Sequence, residues 1–202
     1  EAGTLDWATP TPPPDEGYRV IPIVRSRYPL WEQKSIEHGD PEVERVVHDR
    51  HRNLVVAATR TGKTVIAALD YRRLAEHAGD QRPRLLFVAH RKEILKQSLR
   101  TYREVLDDAS FGELLFNGQE PRDWTHVFAS VQSLNLRRLE QLAPDHFDII
   151  VIDEFHHATA DTYRRVLEHF QPTELLGLTA TPERMDGRNV QDEFFSGRIA
   201  AE

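Results

Sequence analysis

The sequence predicts an α/β protein, a three-layer sandwich with a mainly parallel sheet, and three observations carry that prediction. Five short apolar runs are continuous rather than alternating, which suits strands buried on both faces. Between them, apolar residues recur at helical spacing, and parallel strands need such crossovers. Each run is followed directly by a polar cluster, and in open parallel sheets the carboxyl ends of the strands form the ligand crevice.

Thr9 to Gly17 carries Pro10, Pro12, Pro13 and Pro14 with almost nothing apolar, so residues 1–27 are expected to form a linker or extended segment. Tyr18 to Val24 could add a short edge strand there, because Pro22 cannot donate to a central ladder. The first strong run, Leu54-Val55-Val56-Ala57-Ala58, leads through Thr59 to Thr64 into a helix passing Ile66 and Leu69 towards Gly79. Leu85-Leu86-Phe87-Val88-Ala89 is the second, followed by His90-Arg91-Lys92. Leu95, Leu99, Tyr102 and Leu106 then step by four, three and four along one helix face.

Val127-Phe128-Ala129 precedes Ser130-Val131-Gln132, and Ile149-Ile150-Val151-Ile152 precedes Asp153 to His156. Tyr163, Val166, Leu167 and Phe170 mark another helix, after a Thr159 or Asp161 cap. Leu175-Leu176-Gly177-Leu178 ends at Thr179 to Pro182. This repeated βαβ pattern places the five polar clusters along one rim.

A length of 202 residues can bury one sizeable core. No apolar run approaches the ~20 residues that cross a bilayer, and no signal peptide is visible, so a soluble protein with no membrane partner is expected. Cysteine is absent, which excludes disulfide frameworks and thiolate metal sites and favours an intracellular, cytoplasmic location. The ten histidines show no metal-ligand spacing. A net charge of -7 argues against coating nucleic acid by bulk charge, so any such contact must be local. Met185 is the only methionine and the chain begins at Glu1, so a fragment or processed product is expected.

Ala57-Ala58-Thr59-Arg60-Thr61-Gly62-Lys63-Thr64 joins a strand to a helix in the manner of a P-loop, with alanine at its first glycine position. Such a loop points backbone amides and the positive helix end at phosphate oxygens. Lys63 would supply a point charge to the β and γ phosphates of ATP, and Thr64 a hydroxyl ligand to Mg²⁺. Asp153-Glu154 closes a strand where a Walker B carboxylate would hold Mg²⁺: Asp153 for the metal shell, Glu154 to orient and deprotonate the attacking water. An acidic pair alone there is more often a helix cap, and a P-loop beside it shifts the balance towards chemistry.

Asp153-Glu154-Phe155-His156 and Thr179-Ala180-Thr181-Pro182, with the P-loop, resemble motifs II, III and I of superfamily 2 helicases in order and spacing. The resemblance runs from about Arg45 to the end. It is closest in kind to bacterial restriction-enzyme motor subunits, including type III, and to helicases carrying a phospholipase D-like nuclease module, which residues 1–202 do not contain. It implies a RecA-like P-loop fold over residues 28–202, the first lobe of an ATP-dependent translocase, with the second RecA-like lobe outside these residues.

By the same resemblance, Thr59, Arg60, Thr61, Gly62, Lys63 and Thr64 bind nucleotide, and His156 couples that site to motif III. Thr179 and Thr181 relay hydrolysis to nucleic-acid grip. Arg91, Lys92, Ser130 and Gln132 contact a nucleic-acid backbone, DNA in preference to RNA, without reading bases. Lys96 and Arg100 extend that basic cluster or form a solvated helix face. Gln33, in Tyr28-Pro29-Leu30-Trp31-Glu32-Gln33, takes the place of an adenine-reading glutamine, although Glu32 departs from the aromatic or histidine usual before it.

Arg60 stands where the family has glycine, and an L-residue in a left-handed conformation costs on the order of 1 to 2 kcal/mol. Weakened nucleotide affinity is the expectation. Two function classes therefore stay open: an ATP-driven motor lobe, and a nucleic-acid-binding module with an impaired nucleotide site. A P-loop kinase would leave Thr179 to Pro182 without a role.

Overall fold

The computed structural model describes residues 51–57, 61–154 and 160–180, with the side chains of Ala160 and Asp161 excepted. The Pro-rich segment, the strand expected at 18–24, and Gln33, Thr59, Arg60, His156, Thr159 and Thr181 lie outside the described residues. So does any cap formed by Asp161.

Six strands form one sheet: β1 (Arg52–Val56), β2 (Leu85–Ala89), β3 (Glu113–Leu115), β4 (His126–Ser130), β5 (Ile149–Asp153) and β6 (Glu174–Thr179). Their order is β1-β6-β5-β2-β4-β3, and every pairing is parallel rather than mainly so. Among the described residues the helices are α1 (Lys63–His77), α2 (Lys92–Leu106), α3 (Leu136–Leu139) and α4 (Ala160–His169), with a 3-10 turn at Val131–Ser133. Among the described residues no helix is long and apolar enough to cross a membrane.

Continuous apolar strands bury both faces because successive side chains point to opposite sides. Leu86, Val88, Ile150 and Ile152 face one way and pack with Tyr163, Val166 and Phe170 of and beyond α4. Leu85, Phe87, Ala89 and Val151 face the other and pack with Ile66, Leu95 and Tyr102 of α1 and α2. Each large apolar side chain so buried contributes about 1.5–3 kcal/mol. The outcome is a helix layer on each side of the sheet.

Two elements were not expected. β3 is three residues long and only partly buried, and α3 is a single turn capped by Asn135, whose Oδ1 accepts from the Arg138 amide. β3 is fixed by non-local contacts that periodicity cannot carry. Arg103 of α2 donates from Nε to the Phe111 carbonyl at 2.7 Å and from Nη2 to the Gly112 carbonyl at 2.9 Å. Gly112, at φ +68°, lies so close to the core that a Cβ there would sit 2.8 Å from Phe128 Cε2. Below the sheet, the Tyr71 hydroxyl donates to the Pro83 carbonyl and accepts from His126 Nε2, both at 2.9 Å. The His126 ring stacks on Phe111.

Candidate functional site

Strand register sets the upper rim. Val56 lies opposite Thr179, Leu178 opposite Asp153, Ile152 opposite Val88, and Ala89 opposite Ser130. The carboxyl ends of β1, β6, β5, β2 and β4 are therefore level, and the described polar residues at those ends share one edge. Within that edge, β1, β6 and β5 carry the expected nucleotide residues, while β2 and β4 carry the expected nucleic-acid residues.

Gly62 occupies the N-cap of α1 in a left-handed conformation, φ 91° and ψ 20°. Its carbonyl accepts from the Val65 and Ile66 amides, which starts the helix one residue before Lys63. A helix start here directs the positive end of the helix and its first-turn amides outward, the arrangement that attracts anions. Thr61 and Thr64 flank it, both partly exposed.

Lys63 is buried, and its Nζ donates to the Ala57 carbonyl at 2.8 Å. The Ala57 amide in turn donates to the Thr179 carbonyl at 3.0 Å. One residue thus connects the lysine to the end of β6, where Thr179 is buried. Burial holds the Lys63 amine below the usual lysine range, against the opposing pull of the Asp153 and Glu154 carboxylates.

Asp153, the last residue of β5, is 6 % exposed. Burial pushes its carboxyl up to about 6, with Glu154 adding to the rise and the Glu154 amide and Lys63 opposing it. Its Oδ1 accepts from the Glu154 amide at 2.9 Å, and Glu154 sits at φ 50°. That left-handed turn is uncommon for a residue other than glycine or asparagine. Sparsely populated conformations of this kind cluster at working sites.

These residues form a coherent donor set. A buried carboxylate with a raised proton affinity is a ligand that a divalent cation would return to its ionised form, and Thr64, next to Lys63, adds a hydroxyl. A desolvated ammonium beside a helix start suits phosphate oxygens. The set fits a magnesium nucleotide.

On the other half of the rim, Arg91 is the N-cap of α2 and is exposed, and Lys92 lies over the Phe116 ring at 5.3 Å. Gln132 Nε2 is 2.8 Å from His90 Nδ1, a contact that joins β2 to β4 above the sheet. Ser130 is buried, and its hydroxyl accepts from the Ser133 amide while contacting the Ser133 hydroxyl at 2.8 Å. It therefore shapes the turn that presents Gln132. Arg100 pairs with Glu104 one helical turn on, a solvated face. Sequence reasoning missed Ala57 as the lysine's acceptor and missed Asn117, Asn135 and Arg138 beside Gln132; the Asn117-Gly118 turn dipeptide was the available signal.

The chain matches the model of the family described as type III restriction enzyme, res subunit, over residues 30–184. It is 34% identical over 151 residues to a Schizosaccharomyces pombe protein named as the mitochondrial ATP-dependent helicase irc3, covering 70% of this chain and 24% of that one. To the type I restriction enzyme EcoAI endonuclease subunit of Escherichia coli it is 32% identical over 164 residues, 75% of this chain and 19% of the relative. The chain thus spans about a fifth to a quarter of the curated relatives it matches. A solved fragment described as an HsdR subunit of a type I restriction enzyme from Vibrio vulnificus YJ016 superposes with a TM-score of 0.57 at 29% identity, covering 78% of this chain and 27% of that one. The Type ISP restriction-modification enzyme LlaGI, solved as a nuclease-deletion mutant with a DNA substrate mimic, gives 0.65 at 15% identity, covering 86% and 19%. The latter likeness is one of fold alone, the fold of a RecA-like helicase lobe.

Proposed function

The chain belongs to the family of type III restriction enzyme res subunits, a helicase family, and from that membership we propose that residues 28–202 are the ATP-binding lobe of a superfamily 2 motor. The lobe couples ATP hydrolysis to movement on DNA. One observation carries the reading: buried Lys63 and Asp153, each desolvated and each coupled to the other and to Glu154, converge from α1 and β5 at the level end of the sheet.

Magnesium ATP, when bound, supplies the phosphoryl group whose transfer releases the energy of movement. Lys63 would hold the phosphates, Thr64 and Asp153 would hold the metal, and Glu154 would orient and deprotonate water. The Lys63–Ala57–Thr179 hydrogen bonds support Thr179 as a coupling residue, because Ala57 bonds both the phosphate-holding candidate Lys63 and the end of β6. Arg91, Lys92 and Gln132 line the other half of the rim as backbone contacts to nucleic acid. Gln33, Thr59, Arg60, His156 and Thr181 complete the site by their motifs.

Titration of residues 1–202 with a fluorescent ATP analogue and Mg²⁺ tests this. Saturable binding that Lys63→Ala abolishes is expected; equal binding by both proteins would overturn the reading. Turnover by this lobe alone is expected to be feeble, since removing an arginine finger supplied by a partner lobe typically costs a factor on the order of 10³ to 10⁵. The second reading, a binding module with an impaired nucleotide site, rests on Arg60. Tighter nucleotide binding by Arg60→Gly would favour it.

A further inference from the structure

Beyond the ends of β2, β3 and β4 lies a cavity of about 490 Å³, away from the nucleotide half of the rim. Its walls include His90, Phe116, Asn117, Gln132, Asn135 and Arg138. Its volume falls within the ~300–1,000 Å³ range of small-ligand sites. The chemistry of those walls does not suit a phosphate. The one arginine is already paired, its Nη2 2.7 Å from Glu120 Oε1, and its guanidinium lies over the Trp124 ring. His90 Nδ1 already faces the Gln132 amide nitrogen at 2.8 Å.

What remains is a set of side-chain amides. Asn135 spends its Oδ1 on the Arg138 amide, which leaves its NH₂ as donor. Gln132 gives its NH₂ to His90, which leaves Oε1 as acceptor. Asn117, exposed at φ 48° in the turn opposite, offers both. Phe116, pinned beneath Lys92, gives the cavity a planar apolar wall. Amide donors and acceptors side by side match the hydrogen-bonding edge of a planar heterocycle, and an aromatic wall matches its face.

We propose that this cavity takes a nucleobase, so that the lobe holds one base of the strand whose backbone crosses Arg91 and Lys92. The inference rests on the nucleic-acid reading above and goes beyond it, because a backbone grip alone would leave every base equivalent. A nucleobase could also arrive as a free nucleoside, and the test separates the two.

Fluorescence anisotropy would compare residues 1–202 binding to a single-stranded oligonucleotide with binding to a series carrying one abasic site at each position. One or two adjacent positions are expected to lose on the order of tenfold in affinity, the usual scale of one stacked base. Asn135→Asp keeps the cap oxygen but replaces the donor, and Asn117→Gly keeps the turn but removes the amide; both should flatten that position dependence. Arg91→Ala should weaken all oligonucleotides alike.

Competition by deoxyadenosine for the position-dependent part alone would extend the site to free nucleosides. Persistence of that dependence against the nucleoside would assign the cavity to the strand. Uniform affinity across the abasic series overturns the base pocket while leaving the motor reading intact. Failure to bind any oligonucleotide overturns both.

Discussion

Asp153→Asn is expected to make the lobe more stable while removing its metal site. The carboxyl is almost fully buried, and its pKa rises from 3.8 to about 6, chiefly through desolvation. At about 1.4 kcal/mol per unit, that rise corresponds to about 3 kcal/mol of strain in the ionised form. Because the folded-state value lies above the unfolded one, the folded protein binds more protons between pH 3.8 and 6. Stability therefore falls as pH rises through that window, and the penalty is complete above it. Asparagine is isosteric, and its Oδ1 can still accept from the Glu154 amide, so the left-handed turn survives. The value of about 6 already sets the Lys63 attraction against burial, so about 3 kcal/mol is expected in favour of the variant at pH 8. Urea denaturation at pH 8, 6 and 4, with divalent cations chelated, reads this directly. The advantage should shrink towards zero at pH 4, and Mg²⁺ should stabilise only the wild type in the presence of an ATP analogue. A variant less stable at pH 8, or an advantage indifferent to pH, would refute the claim that burial dominates this carboxylate.

Other outcomes follow from the same structure. A methyl group at Gly62 meets open space, so Gly62→Ala should cost only the left-handed strain of about 1 to 2 kcal/mol, yet reduce nucleotide binding. Gly112→Ala adds a collision with Phe128 and Leu99 to the same strain and should cost about 2–5 kcal/mol in denaturation, with no specific nucleotide effect. Burial holds His126 below its usual 6.5, so the unfolded state binds the extra proton and stability drops as pH falls below 6.5. Replacing it with Phe in an Asp153→Asn background, where the opposing titration is gone, should flatten the denaturation profile between pH 7 and 5. The Tyr102 hydroxyl is buried with no hydrogen-bond partner, so Tyr102→Phe should leave stability unchanged or raise it by up to about 1 kcal/mol. A melting temperature lowered by several degrees would contradict that.

Strand positions were legible where burial is two-sided. Leu85–Ala89 is read from composition alone, because a strand covered by helices on both faces leaves no room for polar residues. β3 was not, since Glu113-Leu114-Leu115 owes its place to pairing with β4 and to the space left for Phe128 at Gly112, contacts beyond the reach of periodicity. The same division runs through the site. Lys63 and Asp153 could be paired from the sequence because strand ends must converge in a parallel sheet. The inward turn of the Ser130 hydroxyl and the left-handed Glu154 depend on local backbone geometry that residue types do not specify.

The strand order also has a consequence for how the lobe is made. Of the described strands β1 leaves the ribosome first, yet its only neighbour among them is β6, the last. By the time β5 has emerged, β2, β3, β4 and β5 can already pair, while β1 stands off with a one-strand gap between them. Long-range pairings of this kind are slow, because the loop entropy is spent before the contacts form. The phosphate loop, whose first residue hangs from the Thr179 carbonyl, therefore acquires its floor only when the chain has been extended through β6. Truncation ahead of Glu174 should spare the β2–β4 half and leave β1 unmated, so that a competent loop reports the arrival of the sixth strand.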